Sequence, residues 1–139
     1  MENKIYHITK NELGSIKQQL NSQSNTWIAE IDGNKITTWK DYADEIESVF
    51  KFPTSIIEMH VNGLSIDGYL DWMRDLGWLR SSGIAIVINN YRSFMSGDLQ
   101  KKEIVLESFE DCVLPWWQSE VEQYQVEGKA KPFNVYLVD

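Results

Sequence analysis

Ile84-Ala85-Ile86-Val87-Ile88, five apolar residues in a row between Gly83 and Asn89, are the segment that most narrows the fold. The run is far too short to cross a bilayer, and its β-branched residues favour an extended chain over a helix. With no polar residue alternating through it, neither face of such a strand can meet water. That is the situation inside a parallel sheet covered by helices. Phe133 to Val138 offers a second β-branched, apolar strand. Parallel neighbours cannot be joined by a tight hairpin, so a helical crossover must occupy the chain between them. The two runs predict central, buried, parallel strands in a small α/β domain with a mostly parallel sheet covered by helices.

The remaining periodicities supply the other elements. Lys4 to Ile8 alternates weakly and reads as a short strand. Leu13, Ile16, Lys17 and Leu20 recur at helical spacing, with Asn11 as the expected cap. Trp27 to Ile31 reads as a strand turned by Asp32-Gly33. Trp39, Tyr42, Ile46, Val49 and Phe50 share one face of a helix over about 38–50, capped by Thr37 or Thr38. Pro53 ends that helix and opens a loop of roughly a dozen residues, a length more often functional than idle. A further helix is predicted over about 66–76. Residues 101–113 and 116–126 read as helix broken near Pro115. A chain of 139 residues is the size of one domain. It divides into a strand–helix extension over 1–25 and a core over 26–139.

The net charge of −8, from 21 acidic and 13 basic residues, argues against direct contact with nucleic acid, which demands clustered Lys and Arg. It suits a basic protein partner, because an acidic face speeds that encounter, although acidity also serves plain solubility. No Gly-rich loop follows a strand, so a nucleotide site is not expected. Cys112 is the single cysteine, which excludes an internal disulfide and a cysteine-based zinc site. Its apolar setting predicts a buried, inert thiol. The opening residues lack a basic region followed by an apolar one, which predicts a cytoplasmic protein with no membrane segment. Six tryptophans call either for several deep anchors or for rings on a binding surface.

The segment with the most chemistry runs from Ser65 to Leu76. At about 100° per residue, Ile66, Tyr69, Leu70, Met73 and Leu76 form one apolar face, and Asp67, Asp71 and Arg74 form a stripe beside it with Asp75 on the outer edge. Asp67 in the first turn suits the helix dipole. Asp71 sits mid-helix, where Asp is a poor helix former, one turn from another carboxylate, and an ion pair with Arg74 is its ordinary explanation. Two carboxylates can also serve acid–base chemistry or hold magnesium, but His7 and His60 bring no accompanying catalytic pattern. No cofactor or metal is implied. A second acidic region, 103–127, carries seven acids (Glu103, Glu107, Glu110, Asp111, Glu120, Glu122 and Glu127) and no Lys or Arg. A solvated helical face is the usual meaning of such a run. Beside the Asp67/Asp71 helix it would form a second wall of negative potential.

Phe52-Pro53, Asp67 and Asp71 with three residues between them, and Met73-Arg74-Asp75-Leu76-Gly77-Trp78-Leu79 together resemble the central stretch of the barstar family. Ile31-Asp32-Gly33 with Ile36 is similar to the family's opening strand and turn, and Trp117 with Pro132 to Leu137 to its last helix and strand. The N-terminal strand and helix resemble those of longer members. The resemblance implies a barstar-like fold and a proteinaceous inhibitor, monomeric when free. Such an inhibitor occludes the active site of a basic ribonuclease or related nuclease-type toxin. It also implies that Asp71 is the central anchor and Asp67 the neighbouring anion, each paired to Arg or Lys of the partner. Leu70, Ser65, Gly63 and Arg74 would be rim or backbone contacts, and Glu120 a further acid. The loop between Pro53 and Asp67 is longer than the family's usual one and lacks its aromatic text, so specificity is expected to reside there. Two other readings stand beside this one: an interaction module with a non-nuclease partner, and a small enzyme using Asp67 and Asp71.

Overall fold

The computed structural model describes residues 2–23, 25–53 and 66–139. Among the described residues, four strands, β1 (Ile5–Ile8), β2 (Thr26–Asp32), β3 (Gly83–Asn89) and β4 (Phe133–Val138), form one sheet in the order β1-β4-β3-β2. Every neighbouring pair is parallel, with Ile5 opposite Val135, Ile84 opposite Phe133 and Thr26 opposite Gly83. The two apolar runs are thus the two central strands, and all six residues from Gly83 to Ile88 are buried. The chain crosses the sheet in one direction from β1 to β2 and returns through β3 to β4. Right-handed crossovers in opposite directions must lie on opposite faces of a sheet. Accordingly α1 (Lys10–Ser22) covers one face, tied to it by Lys17 Nζ on Glu30 Oε1 at 2.6 Å. The other face, with Ala29, Ile31, Ile84, Ile86, Ile88, Phe133, Val135 and Leu137, meets α2 (Trp39–Val49), α3 (Ile66–Met73) and α4 (Leu99–Ser108) in the main core.

Local chemistry fixes the ends of these elements. Thr38 caps α2 in a reciprocal box with Asp41, as expected. The cap of α1 is Thr9, not Asn11. The Thr9 hydroxyl accepts from the Glu12 amide while the Glu12 carboxylate accepts from the Thr9 amide, so the helix starts one residue after β1 and Asn11 already lies within it. At the other end of α2, Lys51 adopts a left-handed conformation and the amides of Lys51 and Phe52 return to Ser48 and Glu47. Gly33 is required where β2 turns, because a Cβ there would lie 2.5 Å from the Asn90 carbonyl oxygen.

The expected break at Pro115 does not occur. The chain stays helical from Leu99 to Tyr124, passing from α4 through a π-helical segment, Phe109–Val113, then Leu114 and Pro115, a second π segment, Trp116–Glu120, and a final turn α5 (Val121–Tyr124). Pro115 itself has helical angles. The wider π turn relieves the two faults of an interior proline, its missing N–H and its clash with the preceding turn. Cys112 lies in the first π segment and is half-exposed rather than buried, because the wider turn carries it to the edge of the core.

β1 is joined to the rest by Asn3, a buried polar residue. Its side-chain amide donates to the Leu114 and Lys131 carbonyls, its side-chain oxygen accepts the Phe133 amide, and its backbone amide donates to Gln118. No helix among the described residues is long and apolar enough to cross a membrane.

Candidate functional site

α3 presents the two predicted carboxylates. Its buried face carries Tyr69 and Met73, followed by Leu76, all fully buried, with Ile66 and Leu70 partly buried against the same core. Asp67 and Asp71, one turn apart, are exposed on the opposite side. The Tyr69 hydroxyl lies 2.7 Å from that of Tyr42 on α2 and 3.3 Å from Ser108 Oγ on α4, and Ser108 Oγ donates to the Val105 carbonyl at 2.6 Å. Three helices are therefore locked by one buried hydroxyl chain. Burial pushes the Tyr69 hydroxyl up to about 12, and Tyr42 well above its ordinary value, so both stay protonated and able to donate.

The C-terminal end of α3 is held with equal care. A helix leaves its last carbonyls without internal partners. Here Trp117 Nε1 donates to the Met73 carbonyl at 2.8 Å and Trp116 Nε1 to the Arg74 carbonyl at 2.9 Å. The end of α2 is treated in the same way, by Trp27 Nε1 on Val49 and Trp78 Nε1 on Phe50. Four of the six tryptophans thus cap helix ends. Sequence reasoning allowed for deep anchors but did not assign these roles, although a Trp pair beside a proline was a visible signal. On the other flank of α3, Trp72 packs with Phe52 and Trp78 in a half-buried aromatic cluster, with ring centres 5.4–6.3 Å apart.

Asp71 makes the ion pair expected of it, with Arg74 Nη2 at 3.3 Å. The pair is superficial, with 70% of the Asp71 side chain exposed, and such pairs contribute about 0–1 kcal/mol. Asp71, Arg74, Asp75, Trp116 and Gln125 line a groove of about 360 Å³ between α3 and the end of the long helix. Leu70 is half-buried at the edge of the acidic stripe, and Glu120, half-buried, closes the second π segment outside the groove lining. Ser65, Gly63 and the loop from 54 to 65, which includes His60, lie outside the described residues. His7 is on β1, edge-on to Tyr91. Of the seven acids between 103 and 127, six are exposed, and none forms an ion pair among the described residues. No three His, Cys, Asp or Glu among the described residues are grouped to hold a metal ion.

The arrangement is a helix pinned on its buried side and at its C-terminal end, with Asp67 exposed and Asp71 exposed but loosely paired to Arg74. Comparison with curated proteins and with solved structures found no match. A family model described as "Barstar (barnase inhibitor)" matches residues 27–137, from the first core strand to the last, and leaves β1 and α1 outside the matched region. With most of its length matched, the chain belongs to the barstar family, a family of ribonuclease inhibitors.

Proposed function

We propose that this protein binds and plugs the active site of a basic ribonuclease or related nuclease-type toxin, acting as an immunity protein in the cytoplasm it protects rather than as an enzyme. The observation that carries the reading is the exposure of Asp67 and Asp71 on a helix whose opposite face and C-terminal end are both pinned. A nuclease cleft is lined with Arg and Lys to hold phosphates, and preorganised carboxylates compete for those groups through charge-assisted hydrogen bonds. Asp71 is the central anchor and Asp67 the second anion. Leu70 fills apolar space at the rim, and Ser65 and Gly63 serve as rim or backbone contacts to the partner. Glu120 and its acidic neighbours add long-range attraction for a basic partner.

The test is a titration of the protein against a barnase-type ribonuclease, reading residual RNA cleavage, with Asp71→Ala alongside. The parent should inhibit stoichiometrically. Asp71→Ala should keep its stability in urea to within about 1 kcal/mol, since the residue is exposed and its ion pair weak. The same variant should lose about 2–5 kcal/mol of binding, because a partner cation would be left buried without its counter-charge. An Asp71→Ala variant that inhibits as well as the parent would sink this mode of action.

A further inference from the structure

The groove beside α3 already holds a guanidinium, and it is the protein's own. Arg74 pairs with Asp71 at 3.3 Å and lies over the Trp116 ring, 5.8 Å from its centre. Trp116 is stacked on Tyr124, with ring planes 8° apart and centres 6.4 Å apart, and Tyr124 is 73% exposed. An exposed tyrosine backing a tryptophan extends a flat aromatic surface toward solvent. A carboxylate on one side and an aromatic face on another are the two surroundings a planar guanidinium prefers, through paired hydrogen bonds and through the ring's negative face. Asp75 adds a second carboxylate to the same lining.

We infer that the groove of Asp71, Asp75 and Trp116, extended by Tyr124, is a guanidinium subsite, that Arg74 occupies it in the free protein, and that an arginine of the basic partner displaces Arg74 on binding. The inference rests on the proposed inhibitory role for the biological identity of the partner, but the subsite itself can be tested without one. Arg74 thereby changes sign relative to a rim contact: it competes for the anchor instead of aiding it. Besides these two contacts, the Arg74 Nε–H donates to the Leu70 carbonyl at 3.3 Å. The ion pair and the ring contact are of the weak, solvent-exposed kind, so an incoming guanidinium that takes the place between Asp71 and Trp116 displaces them easily. The self-contact keeps the anchor carboxylate and the aromatic face in place while no partner is bound.

The experiment titrates a tetra-arginine peptide, and separately a tetra-lysine peptide, into the free protein at low salt, following the indole N–H signals by NMR. The Trp116 signal should shift with tetra-arginine more than with tetra-lysine. Arg74→Ala and Arg74→Gln, the second keeping much of the packing stem, should each bind tetra-arginine about 3–10-fold more tightly than the parent, the yield of one or two weak exposed contacts. Arg80→Ala removes the same charge outside the groove lining and should give a much smaller gain. If both Arg74 variants bind no more tightly than Arg80→Ala, or if the Trp116 signal does not respond, Arg74 is not a stand-in ligand and the subsite is overturned. If instead the peptide results hold while ribonuclease cleavage is not inhibited, the subsite stands and the proposed inhibitory role fails.

Discussion

Tyr69 shows how a single side chain can serve both folding and function. It lies on the buried side of the helix that carries Asp67 and Asp71, and its hydroxyl sits between Tyr42 and Ser108. A consistent set of donors exists for this chain: Tyr42 gives to Tyr69, Tyr69 to Ser108, and Ser108 to the Val105 carbonyl. Replacing Tyr69 with Phe removes the middle member and strands a buried hydroxyl on one side, for a cost of about 1–3 kcal/mol. With Tyr42, the same residue contributes to the alkaline limit of the fold. Its hydroxyl titrates near 12 when folded against 10.0 ordinarily, mainly because burial disfavours the anion. A raised folded-state value gives stability that is complete below about 10 and is lost as pH rises toward 12, since the unfolded chain releases its proton first. Urea melts between pH 8 and 12 should therefore show a stability decline that is shallower in Tyr69→Phe. An equal slope in the two proteins would mean that other groups control the alkaline limit.

Helix ends are where this protein uses its tryptophans. An indole is large enough to fill core space and still deliver one N–H to a distant carbonyl, which suits it to pairing the last carbonyls of a helix that its own backbone leaves open. Trp117→Phe keeps an aromatic ring but leaves the Met73 carbonyl unpaired, so urea melts should show a loss of about 1–3 kcal/mol. Trp116→Phe should cost less, because the ring is half-exposed and water can reach the Arg74 carbonyl. A larger loss from Trp116 than from Trp117 would contradict this account of the caps. How much of these elements the sequence displayed depended on how far their causes were local. β3 and β4 could be read from their apolar runs because burial on both faces leaves a direct mark on composition. The Thr38 cap and the apolar face of α3 were equally local. The sequence points to Asn11 rather than Thr9 as the cap because strand and helix are nearly contiguous there, with no loop to separate their signals. The aromatic wall of the groove was not legible. Trp116 and Tyr124 are eight residues apart, about 80° out of register on a regular helix at about 100° per residue. The π segment between them takes up an extra residue in its turn and brings the rings onto one face, and nothing in the local sequence announces that turn except a proline that fails to break it.

At the scale of the whole molecule, the region outside the family match is structurally continuous with the region inside it. β1 pairs with β4 along its full length, and Asn3 satisfies backbone groups on both the long helix and the approach to β4. We therefore propose that residues 1–139 act as one unit, with 1–25 an extension that covers an edge and a face of the sheet rather than an appended module. Removing residues 1–8 should expose the unpaired edge of β4, lower the midpoint of thermal unfolding, and cause self-association visible by size-exclusion chromatography. A truncated protein that remains monomeric with an unchanged midpoint would show the extension to be dispensable. The strand order carries a consequence for how such a sheet can be assembled by a ribosome. β4, last of the strands in sequence, sits between β1 and β3 in space. Until it emerges, β1 has no neighbour to bond with, and β3 can pair only with β2. The nascent chain must therefore carry β1 as an orphan until β4 emerges, and that last insertion joins segments as distant as Ile5 and Val135. Long-range closure of this kind is slow and entropically costly, so the family's core pairing of β2 with β3 is free to form first while the extension waits for the strand that completes the sheet.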